Sequence, residues 1–146
     1  MIQKGDITIT KIENYDFENF LDVLQSSVDH VGVKRAVIDS STILKLYFPT
    51  PMQFRKNLFN FLSFLTKMNC TVLLTADIAT ATKGKMKFTL EQFIADGVIV
   101  LYYPEKEGRT RALEVLKMRG TNHSRSLVPL EMKKDGIVVF PHEKVY

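Results

Sequence analysis

Cysteine is almost absent from the chain: a single residue, Cys70, excludes an internal disulfide and, with only three scattered histidines, leaves no clustered spacing for a structural zinc site. A reducing, cytoplasmic setting is the expectation from that usage. No apolar run approaches the length of a membrane span, and the first ten residues contain no long apolar core of a secretory leader, so membrane insertion and secretion are not expected. Glycine is sparse, with seven residues, and the phosphate-cradling spacing G-x-x-x-x-G-K-[ST] occurs nowhere in the 146 residues. What remains is an ordinary globular composition, 45% hydrophobic and 25% charged, long enough for one domain with a real core. The net charge of +4 permits nucleic-acid binding without indicating it.

Strand and helix signals alternate along the first two thirds of the chain. Ile7, Thr8, Ile9, Thr10 and Ile12 predict a strand; Asp16 then caps a helix carrying Phe17, Phe20, Leu21, Leu24 and Val28 on one side, which Gly32 ends. Val33 to Ile38 is a short apolar run closed by Asp39, Ser40, Ser41 and Thr42, the pattern of a strand buried on both faces. Thr50, Pro51 and Gln53 form a helix-start signature, followed by Phe54, Leu58, Phe61, Leu62 and Leu65 at helical spacing. Phe59 and Phe64 belong to the same aromatic-rich stretch, which fits a core-facing helix better than base stacking. Asn69 is suited to a left-handed stop before a second buried strand, Thr71 to Thr75.

Residues 80–87 read as a polar, basic surface loop, and Thr89 with Gln92 predicts a short helix bearing Leu90, Phe93 and Ile94. Asp96-Gly97 releases the chain into the strand Val98 to Tyr103, residues 104–108 read as a turn, and residues 111–117 alternate as a strand. Asp135-Gly136 between Leu130–Met132 and Ile137–Phe140 is a strong hairpin signal. The order predicts a single α/β domain, a mostly parallel sheet flanked by helices with an antiparallel C-terminal hairpin.

Open α/β sheets bind ligands beyond the carboxyl ends of their parallel strands, which directs attention to Asp39 to Thr42 and to Thr75 to Asp77. A carboxylate there suits a hard cation such as magnesium whose other ligands come from a nucleotide; the same residue also suits the cap of the next helix. Residues 109–125 hold five cations, Arg109, Arg111, Lys117, Arg119 and Arg125, against one acid, Glu114. Lys117 closes a strand and Arg119 precedes Gly120, where a turn can present both to a phosphoryl group or simply to water. His123 can donate to a phosphate, His30 and His142 less readily, and Glu91 and Asp96 are candidate acids near the same sheet edge. Lys83, Lys85 and Lys87 can touch a nucleic-acid backbone.

The string Lys117-Met118-Arg119-Gly120-Thr121-Asn122-His123, followed by Asp135-Gly136-Ile137-Val138-Val139-Phe140-Pro141, closely resembles the end of a KaiC-like ATPase domain of the RecA superfamily. Upstream, Arg35 to Ser40 resembles the family's Walker B strand, Leu73-Leu74-Thr75 its next core strand, and Glu91 to Ile99 its acidic helix and following strand, all in the family's order. The resemblance implies a RecA-like fold, assembly as a ring, and ATP held between neighbours. It implies Asp39 as the magnesium-side carboxylate, Lys117 and Arg119 as phosphate contacts made across a subunit boundary, and Thr121, Asn122, His123 and Ser124 as a nucleotide-facing turn. ATP and Mg2+ are the implied cofactors. Without a Walker A loop in these residues, the expectation is an ATP-binding protein that does not hydrolyse ATP alone and that works as a homo-oligomer or beside a P-loop-bearing chain. The alternatives are a non-catalytic oligomerisation or regulatory module and, more weakly, a nucleic-acid binder.

Overall fold

A computed structural model describes residues 7–11, 16–78, 89–103, 111–143 and 145. The chain forms two compact units, residues 1–77 and 78–146. The loop expected over residues 80–87, with Lys83, Lys85 and Lys87, and the turn expected over residues 104–108 lie outside the described residues, as do Arg109 and Ile12.

The first unit contains helix α1 (Phe17–Val31), strand β1 (Arg35–Ile38), the short helix α2 (Ser41–Leu44) with a 3-10 turn (Lys45–Tyr47), helix α3 (Pro51–Lys67) and strand β2 (Thr71–Leu74). Local chemistry sets the helix ends. The Asp16 carboxylate accepts from the Glu18 N–H at 3.0 Å, and Gly32, at φ +70°, closes α1 by donating to the Val28 carbonyl. The Thr50 hydroxyl accepts from the Gln53 N–H at 3.2 Å ahead of Pro51, and Asn69, at φ +54°, turns the chain out of α3. Phe54, Leu58, Phe61 and Leu65 form the buried stripe of α3, and Phe17, Phe20 and Phe61 make mutual ring contacts. Phe59 lies off this stripe and is exposed.

β1 and β2 pair in parallel, Arg35 opposite Thr71 through Ile38 opposite Leu74. Two expectations fail here. Residues 7–11 are not a strand: their β-rich pattern has no ladder to join among the described residues, and a strand exists only with a partner for its backbone groups. Nor are β1 and β2 buried on both faces. Val37 and Leu73, which face one another in the register, are 68% and 56% exposed, because this sheet of two strands has cover on one side only among the described residues.

The second unit contains helix α4 (Leu90–Ile94) and strands β3 (Gly97–Tyr102), β4 (Arg111–Met118), β5 (Val128–Lys133) and β6 (Gly136–Val139). They form an antiparallel sheet in the order β3-β4-β5-β6, and the last pair is the hairpin that the signal predicts, shifted by one residue: Lys133 pairs with Gly136, so Lys134 and Asp135 make the turn and Gly136 opens β6. Val98, Val100, Tyr102 and Ala112 form its core, with Ile78, Ala95, Leu116, Leu127 and Val145 packed around them. The molecule is thus an α/β protein with a parallel pair, a four-stranded antiparallel sheet and helices.

Candidate functional site

The carboxyl ends of the parallel strands are tied together beyond the ladder. The Thr75 N–H donates to the Ile38 carbonyl at 3.1 Å and the Ser41 N–H donates to the Thr75 carbonyl at 2.8 Å. Asp39 follows Ile38, its Oδ1 accepting from the Thr75 hydroxyl at 2.5 Å; the peptide bond from Asp39 to Ser40 is cis. Thr42 Oγ1 accepts from the Asp77 N–H at 3.2 Å, while Ser41 is fully buried. Ser40, not Asp39, occupies the cap position of α2, so the Asp39 carboxylate is not spent on that helix. It is exposed, with Oδ2 unengaged among the described residues. No cluster of three or more His, Cys, Asp or Glu side chains exists among the described residues. A hard cation at Asp39 would need most of its oxygen ligands from elsewhere.

In the second unit the sequence places Lys117 and Arg119 at the end of β4, and the structure aims both at the carboxyl end of α4. A β-bulge makes this possible. Ile99 pairs with Val115 but Val98 pairs with Lys117, so Leu116 is the extra residue. Regular alternation would put Lys117 on the face of Leu113 and Val115; the bulge instead puts it on the face of Val98. There Lys117 Nζ donates to the carbonyls of Gln92 at 3.0 Å, Phe93 at 3.3 Å and Ala95 at 2.6 Å. The last carbonyls of a helix lack intrahelical donors, and a cation satisfies both their lone pairs and the helix dipole.

Arg119 reaches the same helix end. Nη1 donates to the Ile94 carbonyl at 3.4 Å and to Asp96 Oδ1 at 3.1 Å, Nη2 donates to the Phe93 carbonyl at 3.0 Å, and the Arg119 backbone N–H donates to the Asp96 carbonyl at 2.8 Å. Met118 lies against Gly97, where a Cβ would approach its Sδ to 2.9 Å, so the glycine lets the two strand ends close up. Gly120, at φ +66°, then turns the chain into Thr121, Asn122, His123 and Ser124. Thr121, Asn122 and Ser124 are exposed; His123 is half-buried with Nδ1 3.1 Å from the Ser124 carbonyl oxygen, and Ser124 Oγ accepts from the Ser126 N–H at 3.1 Å.

The structure therefore groups Lys117 and Arg119 on one helix end and Asp39 with Thr75 at the ends of the parallel strands, in separate compact units. Of the other basic residues, Arg111 lies over the Tyr103 ring at 5.6 Å and Arg125 is exposed. Glu91 is buried within α4. The pairing of Asp96 with Arg119 was not foreseen. Its signal was available: Asp96-Gly97 opens β3 and Arg119 follows β4, and antiparallel neighbours bring those two ends together.

The mixed α/β architecture is of the RecA-like class. The family described as "ATPase: KaiC" matches residues 2–144, and the chain belongs to this KaiC family. It is 36% identical over 129 residues to a UPF0273 protein of Thermotoga maritima, covering 88% of this chain and 52% of that one. A UPF0273 protein of Methanocaldococcus jannaschii is 35% identical over 127 residues, covering 86% and 51%. The circadian clock oscillator protein KaiC of Nostoc is 28% identical over 131 residues, 89% of this chain and 25% of that one. The crystal structure of a KaiC-like protein from Pyrococcus horikoshii superposes with a TM-score of 0.76 at 34% identity, covering 94% of this chain and 62% of that chain. The chain thus spans about half the length of the UPF0273 relatives and a quarter of the clock protein. Among the described residues no helix is long and apolar enough to cross a membrane.

Proposed function

We propose that the chain contributes part of an ATP site and does not hydrolyse ATP by itself. Asp39 is the magnesium-side carboxylate, Arg119 and Lys117 are the phosphate contacts offered to a neighbouring subunit, Lys117 by exchanging one of its three carbonyl bonds for a phosphate oxygen, and Thr121, Asn122, His123 and Ser124 face the nucleotide. The observation that supports this reading is the convergence of Lys117 and Arg119 on the carboxyl end of α4, on the strand end that leads into that largely exposed stretch. Magnesium, when bound, neutralises phosphate charge; Asp39 would hold it, and the Thr75 hydroxyl orients the carboxylate. Phosphoryl transfer depends on fixing phosphates and metal together, and these residues carry no phosphate-loop spacing, so turnover needs a P-loop supplied from outside them, as by a P-loop-bearing partner chain.

Titration of the purified chain with a fluorescent ATP analogue and magnesium tests the reading. Saturable binding that Arg119→Ala weakens supports it. Absence of binding at millimolar nucleotide overturns a site on this chain alone.

The exposed apolar pair Val37 and Leu73 supports a second reading, a module whose main task is assembly. Light scattering separates the two. An oligomer that persists without nucleotide and dissociates in Val37→Asp favours assembly, whereas association that appears only with nucleotide and is lost in Arg119→Ala favours the first reading.

A further inference from the structure

Resting on the nucleotide-site reading, we propose that Asp96 is a positioning residue that fixes the Arg119 guanidinium with one edge presented to a phosphate. A guanidinium has five N–H donors in a rigid planar fork. Three are engaged here, two on Nη1 by the Ile94 carbonyl and the Asp96 carboxylate, and one on Nη2 by the Phe93 carbonyl. Nε–H and the second Nη2–H have no partner among the described residues. A donor on Nε and one on Nη2 are enough to hold phosphate oxygen, and neither is on the nitrogen that Asp96 holds. Asp96 therefore holds the side of the fork remote from that edge, and its carboxylate does not occupy the donors a phosphate would use.

The two residues are joined twice, through side chains and through the bond from the Arg119 N–H to the Asp96 carbonyl, so the carboxylate position is set by the same strand ends that place the arginine. Both side chains are open to solvent, 55% exposed for Arg119 and 83% for Asp96. An exposed ion pair of this kind adds little to folding stability, which separates a positioning role from a structural one. The arrangement also departs from simple charge logic. A carboxylate beside a cation lowers its attraction for a triphosphate, so removing Asp96 should tighten binding if charge alone matters, and should weaken it if orientation does.

The experiment titrates the full chain with the fluorescent ATP analogue and magnesium in wild type, Arg119→Ala, Asp96→Ala, Asp96→Asn and the double variant Asp96→Ala/Arg119→Ala, with thermal unfolding of each. The expected result is about fivefold weaker binding in Asp96→Ala, a smaller loss in Asp96→Asn, which keeps an acceptor, and nothing further lost when Asp96→Ala is added to Arg119→Ala. The unfolding midpoint of the Asp96 variants stays near wild type. Unchanged or tighter binding in Asp96→Ala, with Arg119→Ala impaired, overturns the positioning role alone. Wild type that does not bind, or Arg119→Ala that binds as wild type does, overturns the nucleotide reading and this role with it.

Discussion

The Tyr102 hydroxyl donates to Oε2 of Glu114 at 2.7 Å, diagonally across the β3–β4 pair. Tyr102 is buried among Val98, Val100 and Ala112, so an acid and a phenol meet on the core face of the antiparallel sheet. Burial first, then the hydrogen bond to Glu114 and its negative charge, push the phenol from 10.0 up to about 12. The fold thus favours the neutral phenol. This contribution to stability is complete below the unfolded value of 10.0 and is lost as pH rises through about 12. Tyr102→Phe should therefore be less stable than wild type at neutral pH by about 1 kcal/mol, leaving Glu114 without its donor, and the difference should narrow as pH rises. Urea unfolding of both proteins from neutral pH upward checks this; a difference that stays constant sinks the assignment.

Lys117 Nζ donates to three carbonyls at the end of α4, a helix of only five residues. A helix this short has almost no stability of its own, and its last carbonyls depend on outside donors. Lys117→Met keeps the aliphatic stem and removes the donors, and is expected to cost about 1–2 kcal/mol, since Arg119 still satisfies part of the helix end. Denaturant unfolding gives the cost, and hydrogen exchange at α4 shows whether the loss is local. An unchanged midpoint with unchanged exchange would remove the capping role.

Features governed by a few adjacent residues were legible in the sequence. Asp16, Gly32, Thr50, Pro51 and Asn69 each act through their own backbone conformation or a neighbour within a turn, and each sits where its chemistry predicts, while the hairpin signalled by Asp135-Gly136 forms with its turn one residue earlier, at Lys134-Asp135. Residues 7–11 show the limit of that logic, because strand propensity forms a strand only where a second strand arrives. The faces of β1 and β2 depended on what covers Val37 and Leu73, which an apolar run does not encode. In the candidate site, the cations and the turn after them were legible by type. Their partners were not: the bulge opposite Val98 re-aims Lys117, and the meeting of Arg119 with Asp96 follows from register between strands.

The α3 stripe permits a direct contrast. Leu65 is fully buried and Leu58 is 1% exposed, whereas Phe59 on the same helix is 56% exposed. Leu65→Ala should cost about 2–5 kcal/mol, the lost transfer energy plus a cavity beside neighbours that relax only in part. Phe59→Ala, a larger deletion, should change stability by less than about 1 kcal/mol, because its ring is already mostly in water. Chemical denaturation of the two variants checks the pair, and comparable losses would mean that the exposed face of α3 is covered in solution.

At the ends of the parallel strands, Asp39→Asn separates charge from shape. The amide keeps an oxygen able to accept from the Thr75 hydroxyl, so the tie between β1 and β2 survives and the unfolding midpoint should stay near wild type. The negative charge that a hard cation requires is gone. Without magnesium, the variant should bind the ATP analogue as well as wild type or better, because a carboxylate beside phosphates repels them. With magnesium, wild type should gain affinity and the variant should not, a difference of about tenfold. Titrations with and without the metal give the four affinities, and the comparison rests on their ratio, so a uniform change in surface charge cancels. An equal magnesium effect in both proteins would show that the cation is held by nucleotide alone, and Asp39 would then be a strand-end residue tied to Thr75 and nothing more.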